Sequence, residues 1–122
     1  MGKYETLFHG LSQYGPIPLN QKTNSFHSLE IDYVFMRDNK NYEGSKIIPA
    51  WATYFSLSEQ VYKSGEKTVL SGFTSYRIDN NDTIVVLDGH EWQMTEGSSP
   101  VFNNNKSFVI TNVLGMKTLW VK

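Results

Sequence analysis

The sequence contains no cysteine and no long hydrophobic run. The absence of cysteine excludes disulfide frameworks, thiolate-ligated zinc sites and cysteine nucleophiles. No apolar run approaches the roughly 18 residues that a membrane-spanning helix requires. The first residues, Met1 to Glu5, are polar, so the sequence predicts neither a membrane span nor a secretory signal.

An excess of charge of one sign is also lacking. The chain has 11 Lys and Arg residues against 12 Asp and Glu residues, which gives a formal net charge of -1 at pH 7. Proteins that bind nucleic acids neutralise phosphates with clustered Lys and Arg side chains, and such clusters usually make the binding domain basic. We therefore expect no nucleic-acid partner.

Motifs for catalysis or metal binding are missing as well. The sequence has no Gly-x-Ser-x-Gly elbow and no glycine-rich phosphate loop. His9, His27 and His90 are spread over the chain without the spacing of a metal motif, so a structural or exposed role is favoured for each. Asp79 and Asp82 flank a segment whose composition is explained by turn chemistry, which makes a calcium site the weaker interpretation. We predict that the protein is not an enzyme and that it binds no metal or cofactor.

Short β-strands are the clearest pattern that is present. The 122 residues and the 39% hydrophobic content fit one domain, residues 1-122, with a core of its own. Apolar residues alternate or cluster in short β-branched and aromatic runs, which Gly, Asn, Asp and Pro interrupt. Some eight to ten strands at regular spacing predict an all-β fold, namely an antiparallel β-sandwich, with a small β-barrel as the alternative.

The strongest predicted strand runs from Ser28 to Met36, because alternate residues from Leu29 to Phe35 are apolar. A second long strand is expected from Thr68 to Ile78, followed by a turn at residues 79-82. The segment Ile17-Pro18-Leu19 is predicted as an edge strand, since proline cannot donate a hydrogen bond to a ladder.

The pattern also predicts several local features. Tyr4 to His9 is expected to be a strand that Gly10 ends, and Ser45 to Leu57 a single bent strand through Pro49. Ser58 to Tyr62 permits a short helix, with Glu59 in its first turn. Asp88-Gly89 predicts a tight hairpin between Thr83 to Leu87 and Glu91 to Thr95. Gly115-Met116 predicts a turn into a strand from Thr118 to Val121.

Aromatic residues provide the candidate site. The chain has three Trp, seven Tyr and seven Phe, and most of them are expected in the core. Trp51 and Tyr54 lie in a run whose rings cannot all face one side of a strand, and Trp92 and Trp120 lie in segments with polar flanks. Exposed Trp and Tyr beside Asn and Asp are typical of sugar-binding platforms and of protein-interface hot spots. Trp51, Tyr54 and Trp92 are therefore candidate binding residues, with a core or cross-strand pair as the alternative for each.

Three segments in the first third of the chain carry a resemblance. They are Glu5-Thr6-Leu7-Phe8-His9-Gly10, Gly15-Pro16-Ile17-Pro18-Leu19 and Asn24-Ser25-Phe26-His27-Ser28-Leu29-Glu30-Ile31-Asp32-Tyr33. Their order is similar to a pattern in small tail and baseplate proteins, the adsorption apparatus, of siphophages that infect Gram-positive bacteria. The resemblance implies a β-sandwich related to domains of receptor-binding proteins, and it carries over no catalytic residues.

The resemblance also implies a role and a location. The expected role is that of a virion structural or receptor-binding protein that binds other tail or baseplate proteins, or the host surface through a cell-wall saccharide. The expected location is the virion tail, after synthesis in the bacterial host cytoplasm without a signal peptide. A carbohydrate- or peptide-binding module of other origin, a small-ligand β-barrel and a host-directed phage inhibitor remain alternatives, and the oligomeric state remains open.

Overall fold

A computed structural model describes residues 3-118 and confirms the all-β prediction. Most of the described residues lie in strands, and the described part contains no α-helix. The strands are β1 (Lys3–Ser12), β2 (Ile17–Pro18), β3 (Ser28–Arg37), β4 (Lys40–Pro49), β5 (Tyr54–Lys63), β6 (Thr68–Asp79), β7 (Thr83–Thr95), β8 (Val101–Asn103) and β9 (Phe108–Thr118). A single 3₁₀ turn covers Thr23–Ser25. No helix within residues 3-118 has the length and hydropathy to cross a membrane.

The strands form two antiparallel sheets that enclose the core. The first sheet has the order β1-β9-β3-β4. The second has the order β2-β7-β6-β5, with β8 paired to the far end of β7. One sheet is curled into a half-barrel, and the architecture agrees with the predicted sandwich or small barrel.

The predicted central strand is confirmed as β3, which lies between β4 and β9. Its alternate residues Leu29, Ile31 and Phe35 are completely buried, as the period of two predicts. The ring of Phe35 lies 4.9 Å from that of Phe108 on β9, measured between ring centroids. The second sheet contributes further buried side chains to the same core: Phe55, Leu57, Tyr76, Ile78 and Ile84. Full burial of each large apolar side chain contributes about 1.5–3 kcal/mol to folding.

Two of the turns contain residues in the left-handed backbone conformation. Asp38 and Asn39 connect β3 to β4 with φ angles of 55° and 61°. Asn80 and Asn81 lie in the predicted turn between β6 and β7, with φ angles of 55° and 59°. Asn and Asp tolerate this conformation better than other non-glycine residues, so the turn predicted at residues 79-82 is confirmed.

The edge strand was also predicted correctly. Ile17 pairs with Ile84 and Pro18 pairs with Thr83, and β2 stands at one end of its sheet. Leu19, the third predicted residue, lies beyond the strand, and its backbone N–H donates to the carbonyl of Asp82 (2.8 Å).

The hairpin predicted at Asp88-Gly89 is wrong, because β7 runs through both residues. Gly89 pairs with Thr74 inside the sheet. A Cβ atom at position 89 would lie 2.8 Å from the carbonyl oxygen of Asn105 and 2.9 Å from the Cα of Lys106. This glycine therefore permits the close approach of another backbone segment, which is a second reason for glycine within a strand.

The predictions at two further glycines are also wrong, since Gly10 does not end its strand and Gly115 does not form a turn. β1 continues through Gly10 to Ser12, with register irregularities along its pairing with β9. β9 continues through Gly115 and Met116, and a Cβ at position 115 would lie 2.6 Å from the ring of Phe26. Of the strand predicted from Thr118 to Val121, Thr118 is the last residue of β9 and the rest lies outside the described part.

The bent strand is wrong as well, and the short helix that the sequence permits at Ser58 to Tyr62 is not formed. β4 ends at Pro49 in the first sheet and β5 begins at Tyr54 in the second, so residues 50-53 carry the chain from one sheet to the other. Residues 58-62 lie inside β5, which pairs with β6 over its whole length. Pairing in the sheet and burial of Phe55 and Leu57 override the local helix signal.

Two buried tyrosines link stability to pH. Burial raises the pKa of Tyr33, and the hydrogen bond that its hydroxyl donates to Glu59 (2.5 Å) raises this pKa further. Burial also raises the pKa of Tyr76. Above pH about 10 the unfolded chain loses these protons before the folded protein does. The stability that neutral tyrosine contributes is therefore complete below this pH and is lost as the pH rises towards the folded-state pKa values.

We predict that the free energy of unfolding falls above pH 10, with a slope that approaches about 1.4 kcal/mol per pH unit for each of the two tyrosines. Urea unfolding between pH 9 and about 11 measures this slope. In the variant Tyr76→Phe this slope should be smaller by the contribution of one tyrosine, because only Tyr33 remains. At pH 7 it should be at least as stable as the unmodified protein, because the Tyr76 hydroxyl is buried with no hydrogen-bond partner among the described residues. Equal slopes in the two proteins would contradict this explanation.

Candidate functional site

Four rings lie side by side on the outer face of the second sheet. They are Phe73 on β6, His90 and Trp92 on β7, and Phe102 on β8, and together they are called the aromatic row. Phe73 is directly opposite His90, and Trp92 is directly opposite Phe102. Their neighbours Gly72, Thr74 and Glu91 point inwards and are buried, so the alternation of the strands turns all four rings outwards.

The rings of the aromatic row contact one another in sequence across three strands. The centroids of Phe73 and His90 are 6.3 Å apart with nearly parallel planes. His90 and Trp92 are 6.1 Å apart, and Trp92 meets Phe102 edge to face at 6.4 Å. These separations fall within the range in which aromatic pairs attract. The row is therefore a connected aromatic surface.

The aromatic row borders a shallow, open groove of about 790 Å³. Phe73, Trp92 and Phe102 line it together with Met94, and Ser58 and Gln60 of β5 supply polar groups at its side. Next to the groove, the ring nitrogen Nδ1 of His90 is hydrogen-bonded to the side-chain oxygen of Asn104 (3.1 Å). An apolar surface with a few polar groups around it is the usual composition of a ligand site.

A buried ion pair lies beneath the aromatic row. Arg37, the last residue of β3, and Glu91 of β7 are both buried, with 3.6 Å between Arg37 Nε and Glu91 Oε2. Arg37 Nη1 also donates to the backbone carbonyls of Ser71 (2.5 Å) and Trp92 (3.3 Å). One guanidinium group of the first sheet therefore holds two adjacent strands of the second.

The carboxylate of Glu91 has partners besides Arg37. It accepts hydrogen bonds from the hydroxyl of Ser107 and from the side-chain amide of Asn105 (3.2 Å). Ser107 is tied to the first sheet as well, because its carbonyl accepts from the N–H of Met36 (2.8 Å). A buried charge is tolerated where both a counter-charge and hydrogen bonds are present, and Glu91 has both.

The ion pair positions the aromatic row through the backbone. Trp92 is fixed by the contact of its own carbonyl with Arg37 and by the adjacent Glu91, whose side chain points to the opposite face of the same strand. The sequence interpretation missed this feature because it ended the predicted strand at Met36, one residue before Arg37. A signal was present, since Arg37 continues the alternation of Leu29 to Phe35 and therefore faces the core.

The three candidate residues from the sequence lie in different places. Trp92 belongs to the aromatic row and is half-buried. Trp51 lies between β4 and β5 with 79% of its surface exposed, where it borders Ile47 and Met116. Tyr54, at the start of β5, is 64% exposed. The structure brings none of these three together.

The other members of the aromatic row were missed. His90, Trp92 and Met94 alternate along β7, and this pattern signals one face of a strand. The incorrect hairpin at Asp88-Gly89 concealed the connection between this face and β6. Phe102 lies outside every predicted strand, although residues 101-103 form β8. Trp120 lies outside the described residues.

The carboxylates considered for calcium are engaged with cations or lie apart. Arg77 donates to Asp79 (2.6 Å) and holds the pKa of this carboxyl below its usual range. Lys22 does the same for the pKa of Asp82 through a contact of 3.1 Å. Glu30, a further acidic residue, lies apart from them on β3 of the first sheet, where its hydrogen bond with Asp32 raises its pKa. Within residues 3-118 no three His, Asp or Glu side chains are grouped so that they could hold a metal ion.

Comparison of the chain with protein-family models, with curated proteins and with solved structures found no match. Fold and surface chemistry are thus the physical grounds for a function.

We predict that Glu91→Gln destabilises the protein by about 3–5 kcal/mol, because it leaves the Arg37 charge buried without a counter-charge. Urea unfolding at pH 7 measures the change. The control is Glu96→Gln, which removes an exposed ion pair with Lys67 and should cost less than about 1 kcal/mol. Similar losses of unfolding free energy in the two variants would show that the buried Arg37–Glu91 pair stabilises the protein no more than an exposed ion pair does.

Proposed function

We propose that this protein is a tail-tip or baseplate protein of a siphophage that infects Gram-positive bacteria, and that it binds a neutral saccharide of the host cell wall through the aromatic row. The observation that carries the binding proposal is the row itself, four contacting rings on a solvent-facing sheet. The phage assignment rests on the resemblance of residues 5-10, 15-19 and 24-33, and the β-sandwich architecture is compatible with it.

The chemistry of the groove suits a sugar. The faces of a sugar ring present C–H groups, which pack on the surface of an indole or phenyl ring, and Trp92 and Phe102 offer such surfaces. The hydroxyl groups at the edge of the sugar require hydrogen-bond partners, and the exposed side chains of Ser58 and Gln60 supply both donors and acceptors. The groove therefore offers each part of a sugar ring a suitable contact.

The rigidity of the support favours binding. The row spans three paired strands, and Arg37 fixes the backbone beneath Trp92. Rings that are already in place lose little side-chain entropy when a ligand arrives. A saccharide, whose individual contacts are weak, benefits from a surface that needs no ordering.

The charge of the groove favours a neutral ligand. Its lining residues include no Lys or Arg. A phosphorylated wall polymer would need cationic partners to offset its loss of hydration. We therefore favour a neutral polysaccharide over an anionic one.

Two alternatives receive less support. A small-ligand barrel needs an open interior, whereas large buried side chains such as Phe35, Phe108 and Leu57 occupy the space between the sheets. A peptide ligand would use the same aromatic row, and the exposure of Met94, Val101 and Phe102 is compatible with it. The polar side chains of Ser58 and Gln60 beside the rings favour the saccharide.

We predict that Trp92→Ala weakens binding to neutral cell-wall polysaccharide about tenfold or more, because it removes the central ring of the row. Isothermal titration calorimetry with polysaccharide purified from host walls measures the affinity, and circular dichroism checks that the variant is folded. Trp51→Ala is the matched control, since it removes an equally large ring from a more exposed place outside the groove, and it should leave the affinity unchanged. Unchanged binding by Trp92→Ala, or no binding by the unmodified protein, would contradict the saccharide proposal.

The location is tested separately. We predict that gold-labelled antibody against this chain marks the tail tip of phage particles from lysates of the source organism in electron micrographs. Particles incubated with pre-immune serum are the control. Intact particles without label at the tail, together with free antigen in the lysate, would contradict the virion assignment and favour a host-directed protein or an independent binding module.

A further inference from the structure

Most sheet edges within residues 3-118 carry features that discourage pairing with another strand. Natural proteins protect edges by bulges, proline, charges or short length. β1 has three register irregularities, β2 has two residues and includes Pro18, and β8 has three residues. β4 carries Lys40, Glu43 and Lys46.

β5 is different, because it is a long and regular edge. Its ten residues, Tyr54–Lys63, pair with β6 without a register shift, and no other strand in the described part pairs with it. Just before it, the backbone N–H of Ile78 donates to the carbonyl of Thr53 (2.8 Å). This bond shows which residues of the strand are hydrogen-bonded to β6.

In an antiparallel ladder, hydrogen-bonded and non-hydrogen-bonded pairs alternate. If position 53 bonds to β6, then the N–H and C=O groups of every second residue from position 54 point away from β6. The side-chain amine of Lys46 agrees with this assignment, since it reaches the outward carbonyl of Ser56 (2.9 Å). The outward residues, called the free edge, are Tyr54, Ser56, Ser58, Gln60 and Tyr62.

The free edge has no charged side chain, so two copies of it can meet without repulsion. It begins and ends with a tyrosine, and both rings are strongly exposed, Tyr54 to 64% and Tyr62 to 63%. Ser58 is its midpoint. An uncharged edge with a tyrosine at each end and polar residues between them is suited to pairing with itself.

We propose that β5 pairs antiparallel with β5 of a second copy of this chain, about a two-fold axis at Ser58. Ser58 then lies opposite Ser58 of the second copy, Ser56 opposite Gln60, and Tyr54 opposite Tyr62. This register pairs every residue of the free edge, whereas a two-fold axis at any other residue leaves some of them unpaired. The second sheet of one copy and the second sheet of the other then form one continuous sheet.

The contacts that the dimer would form are as numerous as those of a specific protein interface. Five pairs of the hydrogen-bonded type give about ten backbone hydrogen bonds, which is about the number in a typical protein interface. Two cross-strand tyrosine pairs, one at each end, cover rings that are exposed in the single chain. The contact of Lys46 with Ser56 is given up, but it is solvent-exposed.

The dimer also has a consequence for binding. Side chains of the free edge face the groove, since Ser58 and Gln60 border it, so the continuous sheet places two aromatic rows on one face. Two linked sites bind a repeating polymer more tightly than one site does. This consequence rests on the proposed function, whereas the dimer itself rests on the edge alone.

Cysteine cross-linking tests the pairing and its register. The chain has no cysteine, so an engineered thiol has no competing thiol. With oxidised glutathione as the oxidant, Ser58→Cys should form a disulfide-linked dimer at twice the 14.0 kDa of one chain on a non-reducing gel. Gln60→Cys should stay monomeric, because the two thiols would be four residues apart along the strands, about 13 Å, beyond the reach of a disulfide.

Light scattering tests the dimer without a cross-link. The unmodified chain should have twice the mass of one chain, and Ser58→Lys should halve it by placing two like charges opposite each other. Thr6→Lys, an exposed change on β1, should remain dimeric. A monomeric unmodified protein, or equal cross-linking of Ser58→Cys and Gln60→Cys, would overturn the proposal. Neither measurement uses a saccharide, so the result does not depend on whether the protein binds one.

Discussion

The guanidinium group of Arg37 is the interaction on which much of this structure depends. It extends from the end of a strand in the first sheet and contacts Glu91 and two backbone carbonyls in the second. A buried charge that loses its partner costs several kcal/mol, so the sheets are held in one relative position at this end of the sandwich. Apolar packing supplies most of the stability, but it is non-directional. The ion pair adds a directional contact, which fixes the position of one sheet relative to the other.

The same constraint connects the core to the surface. Glu91 points inwards beside the outward-facing Trp92, and Ser71, whose carbonyl Arg37 also holds, is the cross-strand partner of Trp92. A change in the buried pair is therefore transmitted to the aromatic row through one residue of backbone. At the side of the sandwich where β5 forms the edge, the hydrogen bond between Tyr33 and Glu59 also joins the sheets, and it supports the strand that borders the groove.

The sequence predicted the features that depend on local pattern. Alternation identified β3 and its buried face, and the Asn and Asp residues at 79-82 identified a turn, because both signals arise within a few residues. Gly89 was misread because its role is set by residues 105 and 106, which are distant in sequence. Of the aromatic row, only Trp92 was predicted as a binding residue. The row assembles from three strands whose register the sequence does not specify.

The central claim is that the aromatic row above Arg37 is the binding surface, and nuclear magnetic resonance tests it most directly. The measurement is a titration of ¹⁵N-labelled protein with neutral cell-wall polysaccharide, followed by the indole N–H signals of Trp51 and Trp92. The account predicts that the Trp92 signal shifts with the backbone signals of Phe73, His90 and Phe102, while the Trp51 signal stays in place. Shifts centred on Trp51, with the row unaffected, would contradict it.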